Sequence, residues 1–242
     1  MSQPEAPVSG NRWGLAEALL GFAIGLLLSA AAASIVASAA GYRLSSSSPL
    51  PLAVTAADLA GLWTGLVGAV LLSSRLRGSG DLRRDFGWGP GAAWDLPVGA
   101  AIGVACQYAL IPLLYLPFEQ IDHHLSHQLA QPVQRDTSAV HSAWTVVVLV
   151  VLLAVAAPVV EELFFRGLLL RALLGRTPVP VAVLASALLF ALAHFEAVQF
   201  AGLAVFGVVL ALLAWRTGRL TPGIGAHAAF NAVAVLSVVH VR

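Results

Sequence analysis

There is no lysine in this sequence, only one cysteine, and very little charge of either sign. All thirteen basic residues are arginine, and the net charge is +1. That balance gives no basic patch of the kind that binds nucleic acid. The single cysteine, Cys106, has no partner in the chain, so an intrachain disulfide is excluded, and its apolar surroundings suit a small packed core residue. Charged residues make up 10% of the chain and hydrophobic residues 59%. Soluble domains carry about 25% and roughly 45–50%, respectively. A water-soluble fold of 242 residues cannot hide so much apolar surface, so lipid must be part of the solvent.

What is present fits that reading. Uncharged or nearly uncharged runs of about 20 residues recur along the chain, the length of a helix that crosses a bilayer core. The expected fold is all-α: a polytopic transmembrane helix bundle of about seven spans, at 14–40, 52–74, 96–117, 142–173, 179–196, 198–215 and 221–240. The uncharged stretch from Ala18 to Gly41 is longer than the roughly 7–15 residues of a signal-peptide core, and reads as a retained first span. Residues 1–12 read as a disordered cytoplasmic N-terminus, 13–141 as N-terminal helices and loops, and 142–240 as a catalytic core. No internal repeat is evident.

Arginine placement predicts orientation. With alternating sides, ten arginines share one side: Arg12, Arg75, Arg77, Arg83, Arg84, Arg166, Arg171, Arg176, Arg216 and Arg219. Three, Arg43, Arg135 and Arg242, fall on the other. The positive-inside rule then puts the N-terminus in the cytoplasm and the C-terminus outside. An arginine-only, alanine-rich chain points to a bacterial source with GC-rich coding, hence to the bacterial cytoplasmic membrane.

Against this background, VVEELFFRG (Val159–Gly167) is anomalous. Three uncompensated charges at bilayer depth would cost about 8–10 kcal/mol on insertion scales. Glu162 and Arg166 stand at i and i+4, with the acid N-terminal to the base, which suits an intrahelical ion pair. Glu161 is left over, about 100° away around the helix. Two later spans also carry buried polar residues: LFALAHF brings His194, and GAHAAFNAV brings His227 and Asn231 at i and i+4. Glu161 and His194 lie symmetrically about Thr177–Pro178, so a helical hairpin turning there sets them opposite each other. The expected result is a polar cavity nearer the cytoplasmic side.

Taken singly, each of these residues has a structural explanation as a helix–helix hydrogen-bonding group. One unpaired carboxylate, two histidines and an amide on three helices are harder to account for as packing. Water activation by a carboxylate and a histidine, with a second histidine and an amide donating to an oxyanion, fits the set. So does a metal held by Glu161, His194 and His227 with a water in the fourth position, possible for a divalent ion such as zinc. The helical HExxH signature is missing, and the spacing leaves both chemistries open.

The ordered motifs also resemble a known family. Glu161, Glu162, Phe165, Arg166 and Gly167, then Phe190 and His194, then His227 and Asn231, are similar to the CAAX protease and bacteriocin-processing family of intramembrane proteases (the Abi or type II CAAX prenyl endopeptidase family). The resemblance covers roughly residues 142–240. It implies an intramembrane endopeptidase in which Glu161 and His194 activate water, His227 and Asn231 stabilise the oxyanion, and Glu162 and Arg166 hold the site together. The implied substrate is a membrane-associated peptide or protein, lipid-modified ones included, met among membrane lipids. Two other functions compete: a catalytically silent membrane scaffold or immunity protein of the same fold, and a proton-coupled transporter. The transporter reading lacks the inverted repeats and paired half-helices expected of that class.

Four further features stand apart. His123 and His127 are spaced as a possible metal pair, yet Phe118, Ile121, Leu125 and Leu129 form the stripe of an interfacial amphipathic helix there. Asp58 and Glu17 read as acids that snorkel near the ends of their spans. Glu196, two residues past His194, could line the mouth of the cavity.

Overall fold

The computed structural model describes residues 14–42, 51–137 and 143–240. The expected disordered segment 1–12, and with it Arg12, Arg43 and Arg242, lies outside the described residues. Among the described residues nine helices follow one another: α1 (Leu15–Ala39), α2 (Leu52–Arg77), α3 (Leu82–Phe86), α4 (Asp95–Glu119), α5 (Leu125–Thr137), α6 (Trp144–Leu174), α7 (Val179–Leu192), α8 (Phe200–Thr217) and α9 (Thr221–His240). Among the described residues there is no strand. Six of the seven expected spans are helical close to their expected bounds; the fifth, 179–196, is helical only to Leu192, so His194 lies in the turn that follows it and not within a span. Five of them (α1, α2, α4, α6 and α8) are long and apolar enough to cross a membrane. Helix α7 is shorter, at 14 residues or about 21 Å.

Helices α1 and α2 form an antiparallel pair with backbones in contact. On α1 the buried positions are small: Ala18, Gly21, Gly25, Ser29, Ala33 and Ala37. A Cβ on Gly65 of α2 would lie 2.3 Å from the Gly25 Cα, and one on Gly61 would lie 2.5 Å from the Leu28 carbonyl oxygen. Leu20, Ile24, Leu27 and Ile35 of the same helix point outward. Small residues inside and large apolar ones outside is the pattern of helices packing in lipid, where burial of leucine brings no gain over leaving it exposed. Asp58 does not snorkel. It accepts a hydrogen bond from Ser29 across this interface. Glu17 pairs with Arg77 at 2.8 Å.

Helices α4 and α9 run parallel at equally close range. Cβ atoms on Gly99 and Gly103 would lie 2.1 and 2.0 Å from the carbonyl oxygens of Pro222 and Ala226. Their starts are fastened together by Arg219, whose Nε and Nη2 donate to Asp95 at 2.7 and 2.8 Å. The bonded carboxylate raises the Arg219 pKa further above its ordinary value.

Two of the long helices widen into π-helical turns just ahead of a proline. Cys106–Leu110 precedes Pro112, and Val151–Ala156 precedes Pro158. A proline ring clashes with the carbonyl four residues back, and the wider turn relieves that clash. A third π segment, Glu162–Leu169, carries the charged motif itself.

The helix expected to begin near Phe118 starts later. Asp122 accepts from the backbone N–H of His124 at 2.9 Å, and this turn separates α4 from α5. His123 therefore stands in a turn and His127 in a helix, and both are exposed. The i, i+4 geometry of that pair is lost.

The hairpin tip between α6 and α7, the ends of α2 and α8, and α3 lie at one end of the bundle. There Arg171 donates to the carbonyls of Gly218 (2.8 Å) and Asp85 (3.3 Å). Phe86 is fully buried beneath α6, close enough that a Cβ on Gly167 would touch its Cβ at 3.2 Å.

Candidate active site

The hairpin of α6 and α7 meets α9 around the charged motif. Glu162 and Arg166 are both fully buried and 3.0 Å apart (Oε1 to Nη1), one helical turn from each other on α6. Arg166 has further partners: its Nη2 donates to the Gly207 carbonyl at 3.3 Å, and its guanidinium lies over the Phe190 ring at 4.3 Å. A cation with no access to water is thus held by a carboxylate, a carbonyl dipole and an aromatic face. The expected ion pair is present.

Glu162 has a second partner that the sequence did not suggest. His227, buried on α9, brings Nδ1 within 3.0 Å of the same Oε1. Gly223, one turn earlier on α9, allows this approach. A Cβ there would sit 2.9 Å from Glu162 Oε2. No local spacing in the sequence links residues 162 and 227.

Glu161 and His194 do face each other across the hairpin. His194 Nε2 lies 3.9 Å from Glu161 Oε2, and His227 Nε2 lies 3.7 Å from that same oxygen. Both separations are too long for hydrogen bonds. Glu161 Oε2 is buried without a hydrogen-bond partner. His194 Nδ1 is 2.8 Å from the Phe190 carbonyl, which accepts only, so Nδ1 carries the proton. The neutral ring then presents a bare Nε2 lone pair to Glu161. The same reasoning holds for His227, whose Nδ1 faces a carboxylate.

Asn231, one turn beyond His227, donates Nδ2 to the Leu153 carbonyl at 2.9 Å. The reason lies in the backbone of α6. In a π turn the N–H of residue 158 would bond to Leu153, and Pro158 has no N–H. Asn231 satisfies that orphan carbonyl with one amide hydrogen and keeps the other.

Sequence reasoning missed several supports. Phe190 lies edge-on to His194 (4.6 Å) and His227 (5.5 Å) and under Arg166, so one ring organises three site residues. Phe195, directly after His194, adopts φ 54°, a left-handed conformation uncommon for a bulky residue, and it turns the chain out of α7. The loop it opens is tied down by Tyr115, whose hydroxyl donates to the Val198 carbonyl and accepts from Gly202 N–H. Nothing local in the sequence marks Phe195 for that conformation. Glu196 is half-buried in the same loop. An apolar cavity of about 160 Å³ opens beside the site, between α1 and the hairpin, with Phe22, Phe164, Leu192, Ala193 and Phe195 in its wall.

For a metal, the three candidate donors Glu161, His194 and His227 do converge. Yet among the described residues no group of three His, Cys, Asp or Glu side chains is arranged to hold a metal ion, the exposed His123, His124 and His127 included. The donor set does not fit one, and no step below is routed through a metal.

Residues 143–233 match the family model described as Type II CAAX prenyl endopeptidase Rce1-like. The match covers less than half of the chain, and over that segment the chain is similar to this family. The matched segment contains α6 from its start through the hairpin to Asn231, and so contains every charged and polar residue of the site. No curated protein and no solved structure matches the chain. Five helices long and apolar enough to cross a membrane, together with this family similarity, make the chain an integral membrane protein.

Proposed function

We propose that the chain is an intramembrane endopeptidase that cleaves a membrane-associated peptide or protein, with lipid-modified substrates within its range. Its catalytic unit is residues 142–240, surrounded by the helices of 13–141, and its arginine-rich end faces the cytoplasm. The observation that carries the reading is the buried, unpartnered Oε2 of Glu161 with two histidine Nε2 atoms 3.7 and 3.9 Å away. Three acceptors around one point call for a donor among them. A water lying about 2.8 Å from Glu161 and His194 satisfies both with its two hydrogens.

In that arrangement Glu161 and His194 remove a proton as the water oxygen attacks the substrate carbonyl. The same proton then passes to the leaving amine as the C–N bond breaks. Developing negative charge on the carbonyl oxygen falls to His227 and Asn231. His227, a neutral acceptor at Nε2 in the resting site, donates to the oxyanion once that nitrogen has bound a proton from solvent, and Glu162 at its Nδ1 stabilises the resulting charge. Asn231 contributes the amide hydrogen that Leu153 does not use. Glu162 and Arg166 act through His227 as positioning residues.

The test is purified protein in liposomes, assayed on a library of membrane-embedded peptides, with Glu161→Gln and His194→Ala as the variants. Each is expected to lose on the order of 10²–10⁴ in cleavage rate. Full activity in either variant, or a wild-type protein that cleaves nothing while both histidines bind protons during ion flux, overturns the reading in favour of a silent or transporting protein.

A further inference from the structure

At the arginine-rich end, the segment linking α2 to α4 folds over the turn between α8 and α9 and leaves a polar cavity of about 240 Å³. Its lining is Arg83, Gly87, Gly89, Pro90, Gly218 and Arg219, with no acidic side chain among them. Arg219 presents its edge there already fixed. Nε and Nη2 are bonded to Asp95, and Nη1 is left over. Arg83 is exposed, and its guanidinium has no hydrogen bond or ion pair among the described residues. Its stem runs along Gly89, where a Cβ would meet its Cδ at 3.3 Å.

The remaining wall is bare backbone. Gly87, Gly89 and Gly218 have φ of 71°, 149° and 67°, conformations that side chains rarely adopt. A Cβ on Gly87 would lie 2.3 Å from the Gly218 carbonyl oxygen, so the two turns approach at backbone distance. Leu220 N–H bonds to the Gly87 carbonyl at 3.2 Å and holds them together. The result is a preformed recess at the membrane edge with one free guanidinium, a second held in place by its own carboxylate, and no competing acid in the lining.

We propose that this recess is a binding site for a phosphate group, and that its resident ligand is the headgroup of an anionic phospholipid. Arginine matches phosphate oxygens with paired N–H donors, and charge-assisted bonds of this kind are the stronger ones. A headgroup bound there ties the Gly87–Pro90 turn to Arg219, just ahead of α9 and four residues before the Gly223 that borders Glu162. The proposal rests on the membrane placement of the chain and not on its peptidase reading.

The test uses the full chain in phosphatidylcholine micelles, titrated with phosphatidylglycerol or with inorganic phosphate, and reads lipid retention by native mass spectrometry beside thermal stability. The variants are Arg83→Gln and, as a control, Arg216→Gln, an exposed arginine of the same end outside the recess. Wild-type protein is expected to retain phosphatidylglycerol over phosphatidylcholine, Arg83→Gln to weaken that binding about tenfold, and Arg216→Gln to change it less than about twofold. Stabilisation by inorganic phosphate that is lost in Arg83→Gln, without retention of phosphatidylglycerol, keeps the phosphate site but assigns it a soluble ligand. Equal losses in both variants mean diffuse surface charge, and no preference for either phosphate source means no site. Either result overturns the proposal.

Discussion

Glu161 and Glu162 are neighbours in sequence, and conversion to glutamine should affect them in opposite ways. Glu162 is fully buried, with Arg166 and His227 both 3.0 Å from one of its oxygens. Glu162→Gln keeps the shape but leaves the Arg166 cation buried without its anion, and breaking a buried pair from one side costs about 3–5 kcal/mol. In a chain of this size that is a fall of about 6–20 °C in Tm, at roughly 2–4 °C per kcal/mol. Glu161 has no contact to either histidine shorter than 3.7 Å, and its Oε2 has no hydrogen-bond partner. Glu161→Gln should therefore leave Tm within about 2 °C while abolishing cleavage. Adding Arg166→Met to Glu162→Gln removes the orphan charge and should recover about half of the loss or more. The assay is thermal unfolding in detergent, followed by tryptophan fluorescence and by the fraction surviving size exclusion. Equal destabilisation by the two glutamine variants, or a double variant no more stable than Glu162→Gln alone, refutes the division of labour.

Three other outcomes follow from the geometry. Pro158→Ala supplies the N–H that the Leu153 carbonyl lacks, so Asn231→Ala should destabilise the Pro158→Ala protein less than the wild type, with a coupling of about 0.5–3 kcal/mol in a double-mutant cycle. Gly65→Val places side-chain atoms where even a Cβ lies 2.3 Å from the Gly25 Cα, and should force α1 from α2 with a loss of at least about 1–3 kcal/mol, read as Tm. Cleavage by the wild type should survive dialysis against a chelator with its rate within about twofold, since no donor trio is arranged for a metal. Loss on chelation with recovery on adding zinc would overturn the metal-free mechanism.

Much of the architecture was legible because bilayer insertion acts on local sequence. Run length and the scarcity of charge placed six of the seven spans close to their observed bounds, and the i, i+4 rule found the Glu162–Arg166 pair. The symmetry of Glu161 and His194 about Thr177–Pro178 gave their juxtaposition, because a tight turn between two antiparallel helices sets the register closely enough to survive the π segment Glu162–Leu169. The expected amphipathic helix at Phe118 began late, since a capping turn at Asp122 outweighed the apolar stripe. The acids assigned to snorkelling were instead bonded across helices, to Ser29 and Arg77, by partners 29 and 60 residues away.

By itself, then, the sequence determined that the chain spans a membrane as helices, and which of its polar residues are too costly to be there without partners. Only the tertiary structure decided how those residues pair. Glu162 rather than Glu161 holds His227, and Asn231 is already half committed to a carbonyl that Pro158 leaves unpaired. The physical reason is range. Hydropathy and helical spacing act over a few residues, whereas the contact between α6 and α9 joins positions 65 residues apart and depends on Gly223 letting two helices close on one carboxylate.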